Sequence, residues 1–136
     1  MKHVSSNALL ISGTQKATTD YVSKLLQELF CTVQGCDQCA DCHMIKTHTH
    51  HHILWITPEK KYTLETLEPL TETIGFSLEP GEQFFFILDN AQLLTAACAN
   101  SLLKMVEEPP AGYHFVFLAT QAQLVLPTIR SRCQLI

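Results

Sequence analysis

The sequence predicts a single α/β domain in which a parallel sheet is covered by helices on both faces. Four short runs are apolar at nearly every position, and strands of that composition are buried on both faces of a parallel sheet. Segments with apolar residues at helical spacing alternate with these runs, which predicts strand–helix–strand units joined by right-handed crossovers. The chain has 136 residues, enough for one compact domain and too few for two of ordinary size.

The first half of the chain predicts a strand, a loop, a helix and a second strand. The first strand is the apolar run Ala8–Ser12, which Gly13 ends, and the helical pattern extends from about residue 18 to residue 29. The run Ile53–Ile56 is the second predicted strand, and a proline soon follows it. The segment between them contains a group of cysteines and shows neither helical nor strand periodicity.

The second half predicts two more helices and two more strands. Leucine spacing predicts a helix from about residue 66 to residue 75, with Pro69 in its first turn, where proline is tolerated. The run Phe84–Leu88 is the most hydrophobic of the chain, and we predict that it is the central strand. Thr95 caps a predicted helix that ends at Glu108, and residues 114–119 form the fourth strand.

Composition restricts the class of function. Charged residues make up only 16% of the chain, below the roughly 25% of an average protein, so we expect other surfaces to cover part of this one. The formal charge of −4 argues against a nucleic-acid binder that acts through a basic face. No apolar run reaches the roughly 18 residues that span a bilayer, and residues 1–13 lack a signal peptide's apolar stretch. We therefore expect a cytoplasmic protein with no membrane partner.

Four cysteines within twelve consecutive positions predict a metal site. Cys36, Cys39 and Cys42 are each separated by two residues, a spacing that lets two thiolates face one ion, and Cys31 supplies a fourth ligand. Four thiolates saturate a tetrahedral Zn(II), so the predicted zinc is structural and has no open position for catalysis. The alternatives are a reduced loop without metal and a redox pair, although a redox pair does not explain four regularly spaced thiols.

A run of histidines follows the cysteines and has two interpretations. Either His48, His50, His51 and His52 form a second metal site, or they are solvated side chains of a polar loop. We favour the solvated loop and assign these histidines no role.

The carboxyl end of the first strand is where a parallel sheet would bind a nucleotide. A phosphate-binding loop there needs G-x-x-x-x-G-K-[ST], whose amides and lysine contact the phosphates. The chain retains Gly13 as the first glycine but has Thr18, Thr19 and Asp20 at the three later positions, and Lys16 lies three positions too early to replace the lysine. The loop therefore lies where a phosphate-binding loop is expected, but it lacks the residues that tight ATP binding needs.

The carboxyl end of the third predicted strand carries Asp89 and Asn90. Asp89 could ligate Mg(II), but Asn90 stands where a glutamate would orient the attacking water, and asparagine cannot act as a general base. We therefore expect no ATP hydrolysis by this chain. Asp89 has a second interpretation, as a cap before the next helical turn, and the residues do not decide between the two.

Two arginines, Arg130 and Arg132, flank Ser131 just after Pro127. In a chain with few basic residues, an arginine on a rigid turn can neutralise phosphate charge on a nucleotide held by a neighbouring subunit. Each arginine taken alone could equally be an ordinary surface residue.

Several motifs in one order, spread over nearly the whole chain, carry a resemblance to a known family. They are the four-cysteine module, Ile56-Thr57-Pro58-Glu59, residues 88–95, the Leu-Leu-Lys-x-x-Glu-Glu-Pro-Pro segment within residues 100–110, and residues 126–134 with Ser131-Arg132-Cys133. With these motifs the sequence resembles the N-terminal AAA+ domain of bacterial DNA polymerase III clamp-loader subunits. Within that family it is most similar to the delta prime type, with the gamma/tau type as the close relative.

The resemblance implies the RecA-like P-loop NTPase core of AAA+ proteins and a place in an ATP-driven ring that loads the sliding clamp onto primed DNA. It implies a non-hydrolysing subunit of the DNA polymerase III holoenzyme, with gamma/tau and delta subunits as partners and only indirect contact with clamp and DNA. The alternative is a gamma/tau-like subunit that hydrolyses ATP. A third class, a zinc-ribbon nucleic-acid module, is disfavoured by the acidic charge.

The resemblance also implies roles for particular residues. Arg132 is the arginine finger that acts in trans on a neighbour's ATP, and Ser131 and Cys133 set its turn. The zinc held by Cys31, Cys36, Cys39 and Cys42 is structural. In the nucleotide site the implied roles are a decayed Walker A loop at Gly13, Thr18 and Thr19, a Walker B remnant at Asp89, and a sensor 1 position at Thr120 or Gln121.

The sequence departs from the family pattern in two places. The family often has His-Pro-Asp before the second strand, where this chain has His50-His51-His52. The resemblance also assigns residues 1–136 to the N-terminal AAA+ domain, with a zinc module at about residues 31–42 inserted after the first helix. The family's helical lid and collar domains would then lie outside this sequence.

Overall fold

A computed structural model describes residues 8–136, so the first seven residues of the predicted domain lie outside the described part. All the strand pairs are parallel, and helices cover both faces of the one sheet, which confirms the predicted fold class. The strands are β1 Ala8–Ser12, β2 Ile53–Ile56, β3 Phe84–Leu88, β4 Tyr113–Ala119 and β5 Gln134–Leu135. The helices are α1 Gln15–Phe30, α2 Ala40–Lys46, α3 Glu68–Ile74, α4 Ala96–Glu107 and α5 Pro127–Arg130.

The strand order is β2-β3-β4-β1-β5, so the prediction of β3 as the central strand is wrong. The middle position belongs to β4, in which all seven residues are buried. An apolar run shows that a strand is covered on both faces, and β3 meets that condition because β2 and β4 flank it. Hydrophobicity alone does not rank two such strands by their place in the sheet.

Successive side chains of each strand point to opposite faces of the sheet, and each face has its own core. On one face, the strands pack against α1 and α2, and on the other face they pack against α3, α4 and α5. The first core includes Leu9, Ile11, Phe85, Ile87, Val116 and Leu118 with Val22, Leu26, Leu29 and Ile45. The second core includes Leu10, Phe86, Leu88, Phe115 and Phe117 with Leu70, Leu102, Val106 and Ile129.

Helix α1 begins at Gln15, three residues before the predicted start at residue 18. Thr14 caps it, and its side-chain oxygen accepts a hydrogen bond from the Ala17 amide at 3.2 Å. The apolar pattern did not reveal this first turn because its residues 15–17 are exposed. The other predicted helices agree with the structure, with Pro69 in the first turn of α3 and Thr95 as the cap of α4.

Two elements have no counterpart among the predicted ones. Helix α2 starts inside the cysteine segment, for which we predicted no regular structure. Strand β5 is two exposed residues long, and it exists because it pairs with Leu9 and Leu10 of β1. Among residues 8–136, no helix is long and apolar enough to cross a membrane.

Gly112 lies directly before β4 at φ +88°, and a Cβ there would lie 2.5 Å from the Glu82 carbonyl oxygen. Gly81 has the same φ, but nothing lies within 4 Å of its Cβ position. We expect Gly112→Ala to lower the free energy of unfolding by about 1–3 kcal/mol more than Gly81→Ala, because both variants share the backbone strain and only one adds overpacking. Urea unfolding of the two variants measures the difference, and equal losses would contradict the close approach at Gly112.

Candidate functional site

The carboxyl edge of the sheet brings together the ends of β1, β3 and β4, as the sequence predicted. The Gly13 amide donates to the Ala119 carbonyl at 3.0 Å, which continues the pairing of β1 with β4 past the strand end. The side-chain amide of Gln15 donates to Asp89 Oδ2 at 3.3 Å, so the start of α1 contacts the end of β3. Thr120 lines the same small cleft, whereas Gln121, the other candidate for the sensor 1 position, does not.

The segment predicted as a decayed phosphate loop is mostly helix. Only Gly13 and Thr14 lie between β1 and α1, so Thr18 and Thr19 belong to the helix. The amide of Thr18 donates to the Thr14 carbonyl at 2.9 Å, and the Thr18 hydroxyl donates to the carbonyls of Thr14 and Gln15 at 3.2 and 3.0 Å. Both donors of Thr18, its amide and its hydroxyl, are therefore used inside the helix.

Asp89 is 7% exposed, and its carboxylate is bound by its own chain. Oδ1 accepts from the Asn90 amide at 3.0 Å, and Oδ2 accepts from Gln15. Asn90 has φ 51°, a left-handed conformation that asparagine tolerates, and precedes a short 3₁₀ turn at Ala91–Leu93. The hydroxyl of buried Tyr62 donates to the carbonyls of Ile56 and Asp89, which ties together the ends of β2 and β3.

The cleft between these residues has about 0 Å³ of space that a water molecule could occupy. Small-molecule sites usually offer about 300–1,000 Å³. The predicted residues Gly13, Thr18, Asp89 and Thr120 therefore lie together, with Gln15, which was not predicted, among them, and they leave no nucleotide-sized pocket at this edge of the sheet.

Arg132 follows α5 on a turn in which its amide donates to the Ile129 carbonyl at 3.0 Å. Its side chain is one-third exposed, and the guanidinium group is bonded to the protein through Nε and Nη1. Nε donates to the Glu107 carboxylate at the end of α4, and Nη1 donates to the Thr128 carbonyl at 2.6 Å. Nη1 also lies 3.4 Å from the Ser131 hydroxyl. Arg132 is not among the residues that line the cleft at Asp89.

The four predicted cysteine ligands converge. Their sulfur atoms all lie within 4.8 Å of one another, with Cys31 Sγ 3.6 Å from Cys36 Sγ and 3.7 Å from Cys39 Sγ. Four thiolates bound to one tetrahedral ion at about 2.3 Å would be separated by about 3.8 Å. These separations fit a single ion, so the cluster could hold a metal.

Backbone conformation positions these sulfurs. Gln34, Gly35 and Asp37 have positive φ, and the turn lets the amides of Gln38 and Cys39 donate to Cys36 Sγ at 3.4 and 3.2 Å. The segment then becomes helix α2, whose first-turn amide at Cys42 donates to Cys39 Sγ at 3.4 Å. The prediction of a segment without helix is wrong because two cysteine side chains, and not an apolar stripe, fix where α2 begins.

Charge in the cysteine cluster is unequally distributed. The backbone amides of Cys36, Gly35 and Val33 point at the Cys31 sulfur and lower its pKa to about 6. Burial raises the pKa of Cys42 to about 12. Such a cluster contains one thiol that ionises easily and one that needs a nearby cation to do so.

The histidine run is a solvated loop only in part, because His48 and His51 are exposed whereas His50 is buried and His52 is half-buried. His50 is 4% exposed and bonds to Asp41, His52 Nε2 lies 3.0 Å from Glu82 Oε2, and the His48 ring stacks on Trp55 at 3.7 Å. The pKa of His50 is lowered, chiefly by burial, so its ring is neutral near pH 7.

Gln15, His50 and Glu107 make contacts that were not predicted from the sequence. One sequence feature could have pointed to a contact at His50. This residue belongs to a run of histidines directly after the cysteine module, where the chain must return to the sheet. Gln15 and Glu107 carry no sequence signal, because their partners Asp89 and Arg132 lie 74 and 25 residues away.

A larger groove, of about 550 Å³, lies at the opposite, amino-terminal edge of the sheet. Residues 78–83, Gly112 and His114 line it. The His114 side chain is 9% exposed, stacks on Phe85 at 4.7 Å, and has a buried Nδ1 with no hydrogen-bond partner among residues 8–136. Burial lowers the pKa of His114.

This burial predicts a pH dependence of stability. Because the pKa of His114 is lower in the folded chain than its ordinary value of about 6.5, the unfolded chain binds a proton more readily, and stability falls as pH drops below about 6.5. We expect His114→Phe to weaken this loss and to leave stability at pH 8 unchanged or higher, since it removes an unpaired buried atom. Urea unfolding from pH 5 to 8 measures it, with exposed His51→Phe as the control. An unchanged pH profile in His114→Phe would contradict the assignment.

Comparison with known proteins shows similarity to subunits of DNA polymerase III. A family model described as "DNA polymerase III, delta subunit" matches residues 1–136. The DNA polymerase III subunit delta′ of Escherichia coli is 35% identical over 105 residues, which is 75% of this chain and 31% of that protein. The subunit delta′ of Haemophilus influenzae is 32% identical over 115 residues, 81% of this chain and 35% of that protein. The chain thus spans about a third of the length of these relatives.

Other matches extend the comparison to a second subunit type. The DNA polymerase III subunit tau of Salmonella typhimurium is 28% identical over 132 residues, 93% of this chain and 21% of that protein. The crystal structure of a DNA polymerase III gamma subunit-related protein from Thermotoga maritima has a TM-score of 0.67 at 20% identity. That comparison covers 96% of this chain and 40% of the other, and it shows a shared fold.

Proposed function

The chain belongs to the DNA polymerase III delta subunit family, and from this membership we propose that it acts as a clamp-loader subunit of the delta prime type. In this proposal it helps to load the sliding clamp onto primed DNA during replication. It does not hydrolyse ATP itself, and it donates Arg132 to the ATP site of a neighbouring subunit.

One observation carries the non-hydrolysing part of the proposal. Helix α1 begins two residues after Gly13, so only Gly13 and Thr14 separate it from β1 and no extended loop remains to surround a phosphate. Both oxygens of Asp89, the carboxylate that could hold Mg(II), already accept a hydrogen bond from the chain itself, one from Gln15 and one from the Asn90 amide. The functional consequence is a rigid subunit whose own nucleotide site is closed.

The geometry around Arg132 supports its role as an arginine finger. The guanidinium group is bound through Nε and Nη1, and none of its hydrogen bonds to residues 8–136 uses Nη2. The side chain is partly exposed and lies away from the chain's own cleft. An arginine fixed in this way could meet phosphate oxygens of a partner's nucleotide with little loss of conformational entropy.

Gamma/tau and delta subunits are the proposed partners, with clamp and DNA contacted through them, in the cytoplasm. The alternative function is a gamma/tau-like ATPase, which the matches to the tau subunit and to the gamma-related structure favour. ATP binding distinguishes the two functions.

We also propose that Cys31, Cys36, Cys39 and Cys42 bind one structural Zn(II). Sulfur separations near 3.7 Å and amide donors aimed at the sulfurs support it. Zinc supplies folding energy at a site of this kind because four thiolates converge only when a cation offsets their charge.

We expect no ATP binding by the purified chain in calorimetric titrations with Mg(II), because the cleft has no space for the nucleotide. A gamma-type subunit with a complete phosphate loop serves as the positive control. Micromolar binding, or ATP turnover above background, would overturn the delta prime assignment in favour of the alternative.

We expect Arg132→Ala to lower the ATPase rate of a reconstituted loader by about 10³- to 10⁵-fold, the usual effect of losing an arginine finger. The loader is assembled from the complete gene product with gamma/tau and delta subunits, and gel filtration confirms assembly. Arg130→Ala is the matched control and is expected to leave the rate unchanged. If the assembled Arg132→Ala loader keeps an unaltered ATPase rate, Arg132 is not the arginine finger.

We expect one zinc per chain by elemental analysis of protein purified without chelator. Cys36→Ser should lower the zinc content and the stability of the cysteine segment to proteolysis, because three thiolates no longer saturate the ion. Cys98→Ser, at a buried cysteine outside the cluster, should keep the full content. Protein with well under one zinc per chain would refute a structural zinc.

A further inference from the structure

His50 connects the cysteine module to the sheet from inside the protein. Its side chain is 2% exposed and lies just before β2. Its Nε2 is 2.9 Å from Asp41 Oδ1, and its Nδ1 accepts the His52 amide at 3.1 Å. Because Nδ1 is an acceptor here, the ring proton is on Nε2, which donates to Asp41.

Both contacts of the His50 ring toward the module are adjacent to cysteines. Asp41 lies between Cys39 and Cys42, in the first turn of α2. Phe30, whose ring centroid is 4.7 Å from that of His50, is the last residue of α1 and directly precedes Cys31. One buried side chain therefore touches both ends of the segment that carries the four sulfurs.

The four-cysteine segment has little apolar packing of its own with which to hold this shape. Of residues 31–42, only Cys31 and Cys42 are buried. The neighbouring Asp37–Lys46 ion pair is more than half exposed on both sides and contributes little. The hydrogen bond from His50 to Asp41 is a polar link between α2 and the residues that lead into β2, and its His50 side is buried while the Asp41 side chain is 40% exposed.

From these contacts we infer that His50 is a positioning residue for the metal-binding thiols. It holds Asp41, and with it the start of α2, so that Cys39 and Cys42 stay within reach of Cys31 and Cys36. The inference rests on the proposal that the cysteines bind a metal. Residues that orient metal ligands through a hydrogen bond typically change metal affinity by about 10- to 100-fold when they are removed.

The same contacts argue against a separate metal site at the histidines. His50, His51 and His52 place one ligand atom each within 4.8 Å of the others. However, both nitrogens of His50 are already in hydrogen bonds, and Nε2 of His52 is paired with Glu82. A metal there would have to break the link that fixes α2.

Metal affinity of the purified 136-residue chain tests the inference. Zn(II) affinity is measured by competition with a chromophoric chelator, and Co(II) absorption reports thiolate coordination. We expect His50→Ala to bind Zn(II) about 10- to 100-fold more weakly. His51→Ala, the exposed neighbour, is the control and should bind as the unaltered chain does.

Variants of Asp41 separate positioning from a general loss of stability. Asp41→Ala should weaken metal binding as His50→Ala does, whereas Asp41→Asn should retain it, because the asparagine carbonyl still accepts from Nε2. The His50→Ala/Asp41→Ala double variant should lose no more metal affinity than His50→Ala alone, since both substitutions remove the same hydrogen bond. If His50→Ala does not fold, Asp41→Ala and Asp41→Asn still test whether this hydrogen bond positions the metal-binding thiols.

Distinct results would overturn the inference. Metal binding by His50→Ala or Asp41→Ala at the unaltered affinity removes the positioning role. Losses that add in the double variant indicate independent destabilisation instead. Two metal ions per chain would indicate a histidine site. If the unaltered chain binds no metal at all, the zinc proposal fails, and the inference fails with it for that separate reason.

Discussion

Parallel pairing between β1 and β4 is the interaction on which the rest of the structure depends. The register runs from Ala8 opposite Phe115 to Ser12 opposite Ala119, and the Gly13 amide extends it by one more bond to Ala119. Because β3 pairs with the other side of β4, the end of β3 lies close enough for Gln15 to bond with Asp89. In open parallel sheets this edge is where ligands usually bind. Here the same convergence closes the edge, since α1 begins at Gln15, only two residues after Gly13.

The closed edge of the sheet is the physical basis for the proposed role as a subunit that does not hydrolyse ATP. A subunit with no loop to move around a nucleotide changes little in shape during a cycle of hydrolysis, so it can serve as a fixed surface for its neighbours. Under the proposal, any contribution to a neighbour's catalysis has to come from a residue outside this cleft. Arg132 meets this requirement, because Glu107 and the Thr128 carbonyl hold its guanidinium group on a turn outside the cleft. The end of α4 thus links the core of the domain to the proposed finger.

The cysteine module is joined to the rest of the fold at both of its ends, where Cys31 and Cys42 are buried, and most of its other residues are exposed. It leaves the sheet at the end of α1 and returns at β2, and the buried His50 contacts both sides of this junction through Phe30 and Asp41. Short segments without a core of their own usually need a metal or a covalent link to keep one shape. The sulfur separations fit one ion, and the proposed zinc would supply that link while His50 orients the module on the sheet.

The sequence by itself determined the fold class, the bounds of β1, β2 and β3, and the convergence of four cysteines, because apolar runs and ligand spacing are local patterns. It also located the carboxyl edge at Gly13, Asp89 and Thr120. Only the tertiary structure decided that β4 is the central strand, that β5 forms, and that α1 begins at Gln15 and removes the loop. The same holds for the partners of Asp89, His50 and Arg132. These features depend on contacts between residues that are far apart in the sequence. The energy of such contacts cannot be predicted from the neighbouring residues in the sequence.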